Sequence, residues 1–145
     1  MEKFKDISVS IKQHLAYVEI NRPPNNFFDA NLIQQIADAY ESLDKEDECR
    51  VILLKSEGKN FCAGANFGQD EDMLDKSVPY KKLYAQAVRL FRTRKPVIAI
   101  VQGAAIGGGL GLALSADFRV ACHEARFAAN FAKLGFHPGF GSSIT

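Results

Sequence analysis

Apolar and polar residues alternate through Ile7, Val9 and Ile11, and again through Ala16, Val18 and Ile20, with Lys12–His14 between them. Period-two alternation on both sides of a short polar break predicts a β-hairpin. The stretch NRPPNNFF that follows is a loop, because Pro23 and Pro24 oppose both helix and sheet. From Ala30 to Asp44 the period changes. Leu32, Ile33, Ile36, Ala37, Tyr40 and Leu43 form a helical stripe, with Asp29 placed to cap its start. RVILLKS, residues 50–56, is a continuous apolar run of the kind found in strands buried on both faces. An irregular loop, Glu57–Phe67, and an exposed acidic segment, Gly68–Ser77, come next. A second helix is predicted over Tyr80–Arg92, with Leu83, Tyr84, Ala87, Val88 and Phe91 on its buried side. Pro96 ends it and opens another buried strand, PVIAIV. A glycine-rich segment then leads into a third helix ending near Ala116, and FRVAC reads as a fourth buried strand. Strands alternating with helices in this order argue for an α/β fold with right-handed crossovers.

Composition narrows the function classes. The chain has 145 residues, 47% of them hydrophobic, which suits one domain over residues 1–145. Its 18 basic and 17 acidic residues leave a net charge of +1, so no electrostatic footprint for nucleic acid or membrane is present. No apolar run approaches the roughly 20 residues of a membrane span. The start, MEKFKDISVS, lacks the apolar core of a signal peptide. Cys49, Cys62 and Cys122 are too few and too widely spaced for a disulfide framework or a metal site, so a reducing, cytoplasmic setting is expected. The closing GFHPGFGSSIT places Ser142 and Ser143 as the start of a helix, so the chain reads as the N-terminal part of a longer one.

The candidate chemistry centres on VQGAAIGGGLGLALSAD, residues 101–117. A dinucleotide fingerprint needs glycines at i, i+2 and i+5, but counting from Gly107 or Gly109 the third position is Leu112 or Leu114. That spacing argues against a Rossmann-type binder. A P-loop would need Lys and Ser/Thr where Gly109 and Leu110 stand. No serine lies between Gln102 and Leu114 to act as a nucleophile. What remains is backbone chemistry. Free N–H groups at a helix start, bare of Cβ atoms, can form an oxyanion hole when a second donor converges on the same oxygen. The small-residue loop FCAGANF, residues 61–67, is the candidate for that donor. Close helix packing is the other use of such glycines; three in succession facing an Ala/Gly loop favour the oxyanion hole.

Together these segments resemble the crotonase, or enoyl-CoA hydratase/isomerase, family. FCAGANF is similar to its Ala-Gly-Ala-Asp loop, and VQGAAIGGGLGLALSADFRVA to its Gly-rich helix start and the strand after it. INRPPNN and ARFAANFAKLGFHPGFGSS are similar to the family's Asn-Arg-Pro loop and to the stretch after its fourth strand. The resemblance implies a spiral of ββα turns, here lacking the C-terminal helical part. It implies an acyl-CoA substrate, no separate cofactor, and a homotrimer or hexamer. It places the oxyanion donors at the N–H groups of Ala65 and Gly108. Substrate contacts would come from Arg22, Pro24 and Asn25, from Ala63, Asn66 and Phe67, and from Gly107, Gly111 and Phe131.

The departures are as informative. The family's two catalytic glutamates fall on Gly111 and Phe131, neither of which can move a proton. Asn66 replaces the usual Asp. Hydration by a glutamate pair is therefore not expected, and a divergent lyase, hydrolase or isomerase is. His137, in LGFHPGFG, is the candidate acid/base, weighed evenly against a loop histidine bonded to backbone. His14 and His123 read as surface residues, Asp70, Glu71, Asp72 and Asp75 as a solvated face, and Cys62 as a buried filler. The alternative is a crotonase-fold protein that binds acyl-CoA or serves in an assembly without chemistry.

Overall fold

The hairpin forms where the alternation predicts it. In the computed structural model, which describes residues 4–65, 81–135 and 137–145, β1 (Ile7–Lys12) pairs antiparallel with β2 (Leu15–Ile20), Ile7 lying opposite Ile20. Gln13 and His14 make the two-residue turn with φ of +50° and +68°, the twist that suits a tight hairpin. Helix α1 (Ala30–Leu43) begins at Asp29, whose carboxylate accepts the Leu32 N–H at 2.8 Å. Its stripe from Leu32 to Leu43 is buried.

Strand β3 (Val51–Ser56) joins β2 in parallel, and β4 (Val97–Val101) joins β3 after helix α2 (Lys81–Leu90). Two three-residue strands, β5 (Ala104–Ile106) and β7 (Arg126–Ala128), form a small parallel sheet of their own. Between them lie helix α3 (Gly108–Leu114) and β6 (Phe118–Ala121), which pairs parallel with β4. The main sheet runs β1-β2-β3-β4-β6. A 3₁₀ turn, Ala132–Leu134, follows β7.

One face of the main sheet carries the core: Val18, Ile20, Ile52, Leu54, Ala99 and Val101 join the buried stripes of α1 and α2 in one cluster. Polar groups fix the elements to one another. Arg22 spans Asp6 at 2.8 Å and Asp29 at 2.9 Å, tying the segment before β1 to the loop and to the start of α1. Asp117 accepts the Val97 N–H at 2.8 Å and so sets β6 beside β4. Arg89 on α2 pairs with Asp38 and Glu41 on α1.

The burial of three strands differs from expectation. β3 and β4 alternate rather than being buried on both faces, and all four residues of β6 are exposed, Phe118 by 62% and Val120 by 59%. An apolar run alone cannot distinguish one covered face from two; β6 lies at the sheet edge with nothing across it among the described residues. In the second helix the buried face is Leu83, Ala87 and Leu90, whereas Tyr84, Val88 and Phe91 point to a cavity and stay partly exposed. The Ser142 hydroxyl donates to the Gly139 carbonyl at 2.8 Å and closes a turn. The acidic cluster Asp70–Asp75 lies outside the described residues.

Candidate active site

Two loops that are distant in sequence are brought together by backbone pairing. The Cys62 N–H donates to the Ala104 carbonyl at 2.9 Å, and the Ile106 N–H donates to the Cys62 carbonyl at 3.1 Å. This seats Cys62 beside β5. On the other side of this loop the Ala63 N–H reaches the Asn25 carbonyl at 2.9 Å, and the Phe28 N–H reaches the Gly64 carbonyl at 3.0 Å. Asn26 is fully buried and anchors the whole arrangement. Its Oδ1 accepts the Arg22 N–H at 2.9 Å, and its Nδ2 donates to the carbonyls of Glu57 and Asn60, both at 2.8 Å.

The glycines of α3 make this juxtaposition possible, for more than one reason. Gly107 turns the chain from β5 into the helix with φ of +57°, a conformation that a side chain would strain, while its N–H donates to Ala128 on β7 at 2.8 Å. A Cβ on Gly109 would stand 2.0 Å from the Cys62 carbonyl oxygen, and one on Gly108 would stand 2.2 Å from the Phe28 ring. Close packing therefore accounts for Gly108 and Gly109. Packed this tightly, Ala65 and Gly108 face one cavity of about 840 Å³. Gly108 opens α3, where an N–H has no acceptor within the helix. Ala65 forms its bridge to Phe28 through neighbouring backbone groups, and its own N–H has no acceptor among the described residues.

The cavity brings together six of the expected residues: Ala63, Ala65, Gly107, Gly108, Phe131 and His137. Four others stand off its wall. Arg22 is committed to Asp6, Asp29 and the Phe27 carbonyl. Pro24 is exposed, and its carbonyl accepts from Asn60 at 3.2 Å. Asn25 meets the site only through the backbone bond to Ala63. Gly111 is buried beneath Phe140, where a Cβ would stand 2.5 Å from the Phe140 Cβ. Asn66 and Phe67 lie outside the described residues.

Sequence reasoning missed Phe28, Phe140 and Asn130 on the wall, and assigned Tyr84 to the core. Periodicity could not have found the first three, which lie in loops. Among the described lining residues only His137 can exchange a proton near neutral pH, and it is exposed. Cys62 is fully buried, and burial pushes its thiol pKa up to about 12, so it is inert as a nucleophile. His14 sits in the hairpin turn with Nδ1 at 3.1 Å from the Glu48 carbonyl, away from the cavity.

Comparison with known proteins gives consistent matches. The family model described as enoyl-CoA hydratase/isomerase matches residues 10–145. The "Probable enoyl-CoA hydratase echA14" of Mycobacterium tuberculosis is 33% identical over 99% of this chain and 57% of its own length. Small ribosomal subunit protein mS47 of Neurospora crassa is 32% identical over 97% of this chain and 30% of its own. The crystal structure of an enoyl-CoA hydratase subunit I from Geobacillus kaustophilus superposes with a TM-score of 0.87 at 31% identity, covering 99% of this chain and 56% of that one. The chain thus spans little more than half the length of the first of these relatives. No helix among the described residues is long and apolar enough to cross a membrane.

Proposed function

The chain belongs to the enoyl-CoA hydratase/isomerase family, and from that premise we propose that it binds an acyl-CoA thioester and stabilises its enolate between the N–H groups of Ala65 and Gly108. The observation that carries this reading is the pairing of Cys62 with β5 and of Phe28 with Gly64 and Ala65, after which Ala65 and Gly108 line one cavity. Negative charge reaches the thioester oxygen only as the α-proton leaves. Fixed donors there favour the transition state over the bound substrate.

His137 takes the α-proton in this reading. The C–H electron pair moves into the C–C bond of the enolate, the thioester oxygen gains the charge, and the imidazole becomes imidazolium. Return of the proton to the same or another carbon completes an isomerisation; departure of a β-substituent completes a lyase reaction. Support comes from the place of His137 on the same cavity wall as Ala65 and Gly108. The substrate brings its own coenzyme A, and no further cofactor enters the scheme. The resemblance adds an assembly of three or six copies, and the cysteine usage a cytoplasmic setting.

Exchange of the α-protons of butanoyl-CoA in heavy water, followed by NMR, tests the enzymatic reading. The wild-type protein is expected to catalyse the exchange with a rate that rises as an imidazole deprotonates. His137→Gln should abolish that rise and leave butanoyl-CoA binding intact. The second reading, a binding or assembly protein, is favoured by Gly111 and Phe131 and by the likeness to a relative named as a ribosomal subunit protein. It predicts binding without exchange.

A further inference from the structure

The least comfortable residue in the described chain is Phe140. It is a bulky side chain held at φ of +55°, between Gly139 and Gly141, in a backbone region that glycine enters freely and phenylalanine does not. It is also 96% buried, being 4% exposed. Two further features accommodate it. Gly111, inside α3, has no Cβ where one would lie 2.5 Å from the Phe140 Cβ and 2.9 Å from its ring. Phe28 meets it edge to face, with ring centroids 5.6 Å apart at 65°. The flanking Gly139 lies against the Tyr84 hydroxyl, where a Cβ would stand only 2.2 Å away. Glycine at 140 would relieve the backbone, and a side chain at 111 would favour the helix. The protein instead keeps the ring in place.

The ring's location indicates what it does. Phe28 and Phe140 both line the cavity. One edge of the Phe28 ring meets Gly108, and the ring contacts Phe140. Phe140 therefore stands one ring beyond the backbone donor at Gly108. The two rings stand along the first turn of α3, Phe28 against Gly108 and Phe140 against Gly111. Leu83, Ala87 and Ile106 add further apolar surface to the lining. A charged or hydroxylated acyl end loses water against these apolar residues at a cost that an apolar end avoids.

We infer that Phe140, propped by Phe28 and admitted by Gly111, is the specificity-determining end wall of the cavity, and that it selects thioesters with short, apolar acyl groups. This rests on the acyl-thioester reading given above. The test is calorimetric titration of the full-length protein with butanoyl-, octanoyl- and dodecanoyl-CoA, and with free coenzyme A as reference. The wild type is expected to prefer butanoyl- to dodecanoyl-CoA. Phe140→Ala should shift the ratio of their affinities toward the long chain by about tenfold, because newly opened space lets further methylenes be buried. Phe140→Leu should give a smaller shift in the same direction, and it decides the matter if the alanine variant fails to fold. Acyl-CoA binding with an unchanged ratio in the folded variants would overturn the end wall and leave the acyl-thioester reading standing. Binding no tighter than that of free coenzyme A for every acyl group would overturn both.

Discussion

Gly111 and Phe140 act as a pair, and each explains the other's oddity. Adding one methyl group at 111 forces two carbons together at 2.5 Å inside a buried helix, so Gly111→Ala should lower stability by about 2 kcal/mol despite alanine's better helix propensity. Combining it with Phe140→Gly, which removes the clashing Cβ, should give a loss smaller than the sum of the two single losses. Urea denaturation of the four proteins measures that coupling. Strictly additive losses would show that the two residues do not touch. None of this was readable in the sequence. GFG looks like an ordinary turn, and a positive φ on phenylalanine is imposed by tertiary contacts. Gly111 was noticed for the glutamate it lacks; its packing partner could only come from the structure. The reactive-looking Cys62 was easier to place, since a small residue in an apolar loop usually fills space.

The elements divide along the same line. Helix α1 and its Asp29 cap were legible because a 14-residue amphipathic stripe repeats its signal over several turns. Strands β5 and β7 were not, because three residues carry no period. Yet they frame the cavity: β5 positions Cys62, and β7 positions Gly107. The polar clamp at the start of α1 was not legible either. Arg22, expected on the path of the substrate, joins Asp6 and Asp29. Its hydrogen bond to Asp6 holds that carboxyl below its ordinary value of 3.8, against the opposing effect of burial. A carboxyl with a depressed folded-state pKa contributes stability above its unfolded value and loses it as the pH falls through the folded one. Asp6→Asn should therefore destabilise the protein near neutral pH, and the gap from wild type should close well below pH 3.8. Chemical denaturation across that range checks this; a gap independent of pH would contradict it. Arg22→Ala should lower stability similarly.

At the scale of the whole molecule, β2, β3 and β4 each bury one face in the core, whereas β6 is exposed on both among the described residues. Ile100, Phe118 and Val120 point outward together, Ile100 directly opposite Val120 in the register. Such a patch attracts apolar dyes and other chains. The 145-residue chain should accordingly enhance the fluorescence of anilinonaphthalene sulfonate in its folded state, and Phe118→Lys with Val120→Glu should reduce it. No enhancement by the folded chain would mean that the face is covered. The sequence could not foresee this openness, because FRVAC has the composition of a buried strand wherever it stands. It did foresee the α/β order and the hairpin, which depend on local pattern, and the meeting of the two glycine-bearing loops, each rich in small residues beside a strand.

The central claim is that the backbone at Ala65 and Gly108 holds a thioester enolate. It is tested most directly by titrating acetoacetyl-CoA into the full-length protein and following the absorbance of its enolate form. Saturable growth of the enolate band is expected. Ala65→Pro removes one N–H but leaves the Phe28–Gly64 hydrogen bond in place. It should weaken enolate binding by roughly a hundredfold, while butanoyl-CoA still binds. Binding of acetoacetyl-CoA with no gain in the enolate band, or an unchanged band in the proline variant, would contradict the claim.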